Sequence, residues 1–205
     1  LGVVFDSKLS FGSHIQSVTA SAFKSLGFVV HNGREFADIE TLKILYITYC
    51  RSRLEYASVV WSPIYNIHIS ALERIQRRFL KTAVYVLDGV YPPRGHPQEF
   101  LLNRLNMSSL LTRRIEHSVV LLFKIIIGVV ECPTILFNYQ FKINRINART
   151  KSTFSFDTPL TNSGISSPLT QMLSNYNNIE NKIDIFNCSI NQIKRCYSII
   201  CFSHV

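Results

Sequence analysis

Apolar residues recur at helical spacing through most of the first 130 positions. Ile15, Val18, Ala22, Leu26 and Val29 fall within an arc of roughly 80° at 100° per residue, which predicts an amphipathic helix with Gly33 as its stop. Asp38 is placed to cap a second helix, whose Leu42, Leu45, Tyr46 and Tyr49 share a face. Ser52 starts a short third helix running towards Trp61, with Tyr56, Val60 and Trp61 on its apolar side and Ser62-Pro63 as its breaker. A fourth, from about 69 to 83, sets Leu72, Ile75 and Phe79 against Arg74, Arg77, Arg78 and Lys81 on the opposite side. Tyr91-Pro92-Pro93-Arg94-Gly95-His96-Pro97 is a loop. From about 108 to 127 a long helix places Leu111, Ile115, Leu122 and Ile126 on one face and Arg113, Arg114, His117 and Lys124 opposite, with Leu110, Val120 and Leu121 on a further apolar flank. Ahead of all these, Leu1-Gly2-Val3-Val4-Phe5 predicts a short buried strand, followed by a turn at Asp6-Ser7-Lys8. The fold class is therefore mainly α: a helical bundle with a short N-terminal strand.

The pattern changes near residue 150. From 150 to 192, 19 of 43 residues are Ser, Thr or Asn, which predicts a loop-rich C-terminal extension. The resulting organisation is a strand over 1–10, helices over 11–131 and the extension over 132–205. With 205 residues, 47% of them hydrophobic, the chain is able to bury a core. The apolar run from 119 to 130 is too short to cross a bilayer as a helix and holds Lys124, so no membrane association is expected. Five cysteines at irregular spacing argue against a secreted disulfide framework and for a reducing compartment, nucleus or cytoplasm.

Charge sharpens the picture. Twenty-two Lys and Arg against 13 Asp and Glu give a net +9. Between residues 51 and 114 stand 10 cations and 4 carboxylates, and nine of the ten cations are Arg, whose planar fork grips a phosphate through two hydrogen bonds. A helix with four cations on one side suits a nucleic-acid backbone and confers affinity without sequence preference. A solvated face paired with Glu73 and its neighbours explains the same pattern, and the charges alone leave both readings open.

Catalytic motifs are missing. The chain has no Gly-rich phosphate loop, no His-Glu-x-x-His, no Gly-x-Ser-x-Gly and no pair of carboxylates in an apolar setting, so neither a catalytic residue nor a metal ligand is assigned. Cys188, Cys196, Cys201 and His204 are zinc-ligand types at spacings that match no usual zinc pair, and core packing among Ile190, Ile193, Ile199, Ile200 and Phe202 is the competing reading. Glu180 and Asp184 read as a solvated helix face. Trp61 either anchors the core or stacks on a nucleotide.

At Leu54-Glu55-Tyr56-Ala57-Ser58-Val59-Val60-Trp61-Ser62-Pro63, together with the first eleven residues and His14-Ile15, the chain resembles the region after the palm in reverse transcriptases of non-LTR retrotransposons, especially the jockey-like elements of insects. Leu72-Glu73-Arg74-Ile75-Gln76-Arg77-Arg78-Phe79-Leu80 is similar to the next helix of that family, and Leu111-Thr112-Arg113-Arg114 to a later one. Cys132-Pro133, Arg149, Asn175 and Ile183-Asp184-Ile185-Phe186 are similar to its C-terminal segment, while Ser52 departs from the family, where Pro is common. The resemblance implies that residues 1–5 are the last strand of a palm and that the helices from about 11 are the thumb, which closes over an RNA and DNA template–primer duplex. It implies too that the paired catalytic aspartates and their magnesium ions belong to an upstream palm, and that palm and fingers of the same polypeptide are partners. On this reading the chain binds the duplex, does no chemistry itself, and engages nucleic acid through Arg51, Arg53, Arg74, Arg77, Arg78, Lys81, Arg113 and Arg114. The alternative is a self-contained helical protein-interaction domain without enzymatic activity.

Overall fold

The computed structural model describes residues 2–33, 38–142, 153–155, 161–165 and 167–202, with backbone alone for 162–163 and 198–202. The fold is mainly α. The chain divides into two compact units, Leu1–Arg113 and Arg114–Val205, and the division falls inside a helix, ahead of the 131/132 boundary read from composition.

The first unit contains α1 (Gly12–Gly33), α2 (Ile39–Tyr46), a π-helical turn (Ile47–Arg51), α3 (Ser52–Glu55), α4 (Ser58–Trp61), α5 (Asn66–Asp88), α6 (Gln98–Arg104) and the start of α7 (Leu110–Ile126). On α1, Ile15, Ala22, Leu26 and Val29 are buried and Val18 packs against them, as the arc predicts. Gly33 is buried at its end because a Cβ there would run into the Leu42 side chain. Asp38 caps α2, its carboxylate accepting from the Thr41 hydroxyl at 2.6 Å, Thr41 N at 2.9 Å and Glu40 N at 3.2 Å. These bonds hold the Asp38 carboxyl below its ordinary range, the Thr41 hydroxyl contributing most.

From α2 onward the buried residues are Leu42, Tyr46, Cys50 and Leu54, a strict interval of four. An α-helix turns about 400° in four residues, so such a row would drift by about 40° at every step. The wider π turn absorbs the drift and keeps the row on the core. Tyr49, expected on the buried face, is exposed as a result. Burial pushes the Cys50 thiol up to about 11, which leaves it protonated and inert at neutral pH.

The expected third helix is two pieces. Ala57 adopts a left-handed conformation with φ of 51°, which ends α3 and re-aims the chain into α4. Tyr56 and Val60 are exposed, not on an apolar side, whereas Trp61 is fully buried. The Trp61 indole N–H donates to Tyr56 O at 2.8 Å, and its ring meets His14 edge-on at 5.3 Å. Trp61 is thus a core anchor, and the stacking alternative is withdrawn. Helix α5 extends beyond the predicted span at both ends and stops at Gly89, left-handed with φ of 69°. Phe79 of α5 stacks on Tyr46 at 3.9 Å and 10°, joining the four-residue row to the longest helix.

The N-terminal strand is a correction. Residues 2–5 form no strand, and Leu1 lies outside the described residues. A strand needs a neighbouring backbone, but the Val4 N–H donates instead to the His14 side chain at 3.3 Å. The turn at Asp6 is present, its carboxylate accepting from Lys8 N and Ser10 N at 3.0 and 2.8 Å.

In the second unit are the rest of α7, α8 (Pro133–Phe137), β1 (Gln140–Phe141), β2 (Phe154–Ser155), α9 (Asn162–Ile165), α10 (Pro168–Asn177) and α11 (Ile190–Phe202). β1 and β2 pair antiparallel, Gln140 with Ser155 and Phe141 with Phe154. Phe154 is buried against Tyr139 and Tyr176, with ring centroids 6.0 and 5.4 Å away. The Asn and Ser content serves as backbone partners. Asn177 bonds both the N–H and the C=O of Phe154, and Ser167 caps α10 by accepting from Thr170 N. Tyr176 accepts from Ile185 N and donates to Ile183 O. Glu180 is not merely solvated, since it accepts from Thr153 N at 2.7 Å, and Asp184 closes a turn onto Phe186 N. Arg149 lies outside the described residues. Among the described residues no helix is long and apolar enough to cross a membrane.

His14 generates a pH dependence. Its Nδ1 accepts from Val4 N and therefore carries no proton, and burial lowers its pKa below the ordinary 6.5. The unfolded chain binds the proton more readily, so this contribution to stability is complete above about pH 6.5 and is lost as pH falls through the lower folded value. Thermal or urea unfolding between pH 8 and 5 is expected to show stability declining below about pH 6.5, by up to about 1.4 kcal/mol per unit, with the slope reduced in His14→Gln.

Candidate nucleic-acid interface

The eight cations proposed from sequence separate into three sets. Arg74, Arg77 and Arg78 are exposed along α5 with Lys81 half-buried beside them. Among the described residues no carboxylate pairs with Arg74, Arg77 or Arg78. The Arg78 guanidinium lies over the Phe23 ring of α1 at 4.9 Å, beside a small hollow of about 190 Å³ that Leu26, Val30 and His31 also line. Arg74 and Arg77 border a groove of about 410 Å³ with Ser70, Gln98 and Ser109. Arg77 Nε donates to Gln98 Oε1 at 2.9 Å, and Lys81 Nζ to Pro93 O at 2.9 Å. These bonds orient the heads of two cations while leaving further N–H donors for a ligand.

Arg51 and Arg113 are a different case. Glu55, only 12% exposed, accepts from Arg113 Nε and, at 3.0 Å, from Arg113 Nη2, while Arg51 Nε stands 3.6 Å from the same carboxylate. The four-residue pairing of Arg51 with Glu55 matches the sequence spacing. Both guanidinium groups are engaged by a carboxylate within the fold, so they are removed from the candidate interface. Arg53 is exposed and donates to Ser21 Oγ of α1 at 2.7 Å.

Arg114 is the clearest correction. It is 4% exposed, and Leu111, expected inside, is 47% exposed. The reason is the first turn of α7, where four backbone N–H groups lack intrahelical acceptors. Gln76 Oε1 accepts from Leu110 N at 3.1 Å, Glu73 Oε1 from Leu111 N at 2.9 Å, Ser109 Oγ from Thr112 N at 3.1 Å and Ser109 O from Arg113 N at 3.1 Å. The fully buried Gln76 also donates to Ser108 O at 2.8 Å. Two side chains of α5 thereby fix the rotation of α7 about its axis, and that rotation turns Arg114 inward.

Glu73 and Gln76 were missed as structural residues in the sequence, as was α6. A signal existed for Gln76, which falls among Leu72, Ile75 and Phe79 on the apolar arc of α5, where a polar group requires partners. Glu73 had none, because its acceptors' partners lie on a helix 38 residues away. Cys188 and Cys196 are half-buried, while the Cys201 side chain and His204 lie outside the description. Among the described residues no three His, Cys, Asp or Glu side chains gather to hold a metal ion. No family model, curated protein or solved structure matches the chain.

Two substitutions test this separation of roles. Glu55→Gln weakens the bonds to Arg51 and Arg113 and is expected to cost about 1 to 3 kcal/mol in chemical denaturation. Gln76→Leu strands the Leu110 N–H and Ser108 C=O and is expected to cost about 2 kcal/mol, measured the same way.

Proposed function

We propose that this chain holds an RNA and DNA template–primer duplex as the thumb-like, noncatalytic part of a retrotransposon RNA-directed DNA polymerase. The observation that carries the proposal is the exposed row Arg74, Arg77 and Arg78 on α5, with Lys81 continuing it, unpaired with carboxylates among the described residues. A row of guanidinium groups on a straight helix, rooted in a core by Leu72, Ile75 and Phe79, presents positive charge at intervals that a phosphate backbone can meet. Arg53 extends the positive surface, whereas Arg51, Arg113 and Arg114 serve the fold. The sequence resemblance supplies the identity of the duplex. On the same reading, magnesium and the aspartates that hold it belong to the palm, and palm and fingers are the intramolecular partners.

Each cation that contacts a phosphate releases a condensed counterion, so affinity for an RNA·DNA hybrid is expected to fall steeply with salt. In the triple variant Arg74→Glu/Arg77→Glu/Arg78→Glu the salt slope should diminish by about 2 to 3 and binding at low salt should be lost. Fluorescence anisotropy with a short labelled hybrid measures both, and unchanged affinity in the triple variant overturns the assignment.

A second reading, a protein-interaction domain, is favoured by one observation. Ile64, Tyr65 and Ile67, where the chain enters α5, are exposed, Ile67 to 74%. Apolar side chains so placed suit a protein surface, and pull-down with the triple variant separates this reading from the first.

A further inference from the structure

The cation row on α5 does not end in solvent. At 100° per residue, Arg74, Arg77, Arg78, Lys81 and Tyr85 occupy one arc of about 100°, so the row leads onto an aromatic ring. Tyr85 is 49% exposed, and the Tyr91 ring, 54% exposed, lies 6.2 Å from it across the end of the helix. The loop carrying Tyr91 is held in place. Lys81 Nζ donates to Pro93 O and stands 5.9 Å from the Tyr91 ring centre, Pro92 is buried, and Gly89 and Gly95 are left-handed. Arg94 is exposed on the same loop, and a second ring pair, His96 with Phe100 at 5.0 Å, follows it. Exposed rings of this kind, outside the core and adjacent to cations, bury nothing in the fold.

We propose that Tyr85 and Tyr91 form a platform for unpaired bases, so that a single-stranded nucleic acid continues from the cation row onto the end of α5. Cations take its phosphates and the two rings take successive bases, an arrangement that tolerates any sequence because every base has a π-face. Charge complementarity selects nucleic acid over an apolar peptide: Arg77, Lys81 and Arg94 stand along the path, whereas Asp88, the nearby carboxylate at the helix end, is paired with Arg104. The proposal rests on reading the α5 row as the phosphate-binding face and adds the single strand as its ligand.

The experiment compares a labelled twelve-nucleotide oligo-dT with a blunt twelve-base-pair RNA·DNA hybrid on the full chain. Tyr85→Ala/Tyr91→Ala is expected to weaken oligo-dT binding by about 30-fold without altering its salt slope, while hybrid binding changes less than about twofold. Tyr85→Phe/Tyr91→Phe, which keeps the rings, should bind both probes like the wild type. Equal loss for oligo-dT and hybrid, loss in the Phe variant, unaltered oligo-dT binding in the Ala variant, or failure of the wild type to bind oligo-dT each overturns the platform. Failure of the arginine reading is separately visible, because it appears as unchanged hybrid binding in the triple Arg→Glu variant. Far-ultraviolet circular dichroism melting of both tyrosine variants, expected to match the wild type because the two side chains are exposed, excludes unfolding as the cause.

Discussion

Four backbone N–H groups at the start of α7 need acceptors, and two of them are taken by side chains of α5. That requirement governs much of the first unit. Glu73 and Gln76 face α7 and bond Leu111 N and Leu110 N, so the carboxylate nearest to Arg74 and Arg77 is committed to a helix end. A free carboxylate at that position would draw an arginine down onto the surface of α5, since opposite charges three or four residues apart attract. With Glu73 occupied, the guanidinium groups remain directed outward. The same bonds fix the rotation of α7, which places Leu111 outside and Arg114 inside. One capping arrangement therefore decides both which cations are exposed and which are buried.

Positive charge in this chain does two kinds of work, and burial distinguishes them. Around Glu55, two guanidinium groups share one mostly buried carboxylate, a geometry that ties the π turn and α3 to the beginning of α7. Along α5 the cations sit over a hydrophobic helix face that anchors them from below, with Phe23 and Gln98 flanking the row on its two sides. Counting arginines between residues 51 and 114 merges these sets, whereas partners separate them.

The sequence foretold what depends on one helix at a time. The arc on α1, the Asp38 cap, the opposed faces of α5 and the loop around Pro92 all follow from local spacing, and each is present. The errors share a different cause. The strand expected at residues 1–5 depended on a neighbour that the spacing of one segment cannot reveal, and the Val4 N–H goes to His14 instead. Ala57 in a left-handed conformation breaks the third helix although alanine is a strong helix former, so tertiary packing overrides propensity there. Within the candidate site, the α5 row was legible because it is a pattern on one helix. Arg51, Arg113 and Arg114 were misplaced because their partners or their burial come from rotations set by other helices.

The π turn between α2 and α3 carries a consequence for how this segment varies. Leu42, Tyr46, Cys50 and Leu54 stay in phase with the core only because the helix is locally overwide, so the arrangement counts residues and is indifferent to most outward-facing identities. One residue gained or lost before Leu54 swings everything downstream through about 100° and carries Glu55 away from its two arginines. Lineages of this chain can drift freely in the composition of that stretch while its length stays frozen.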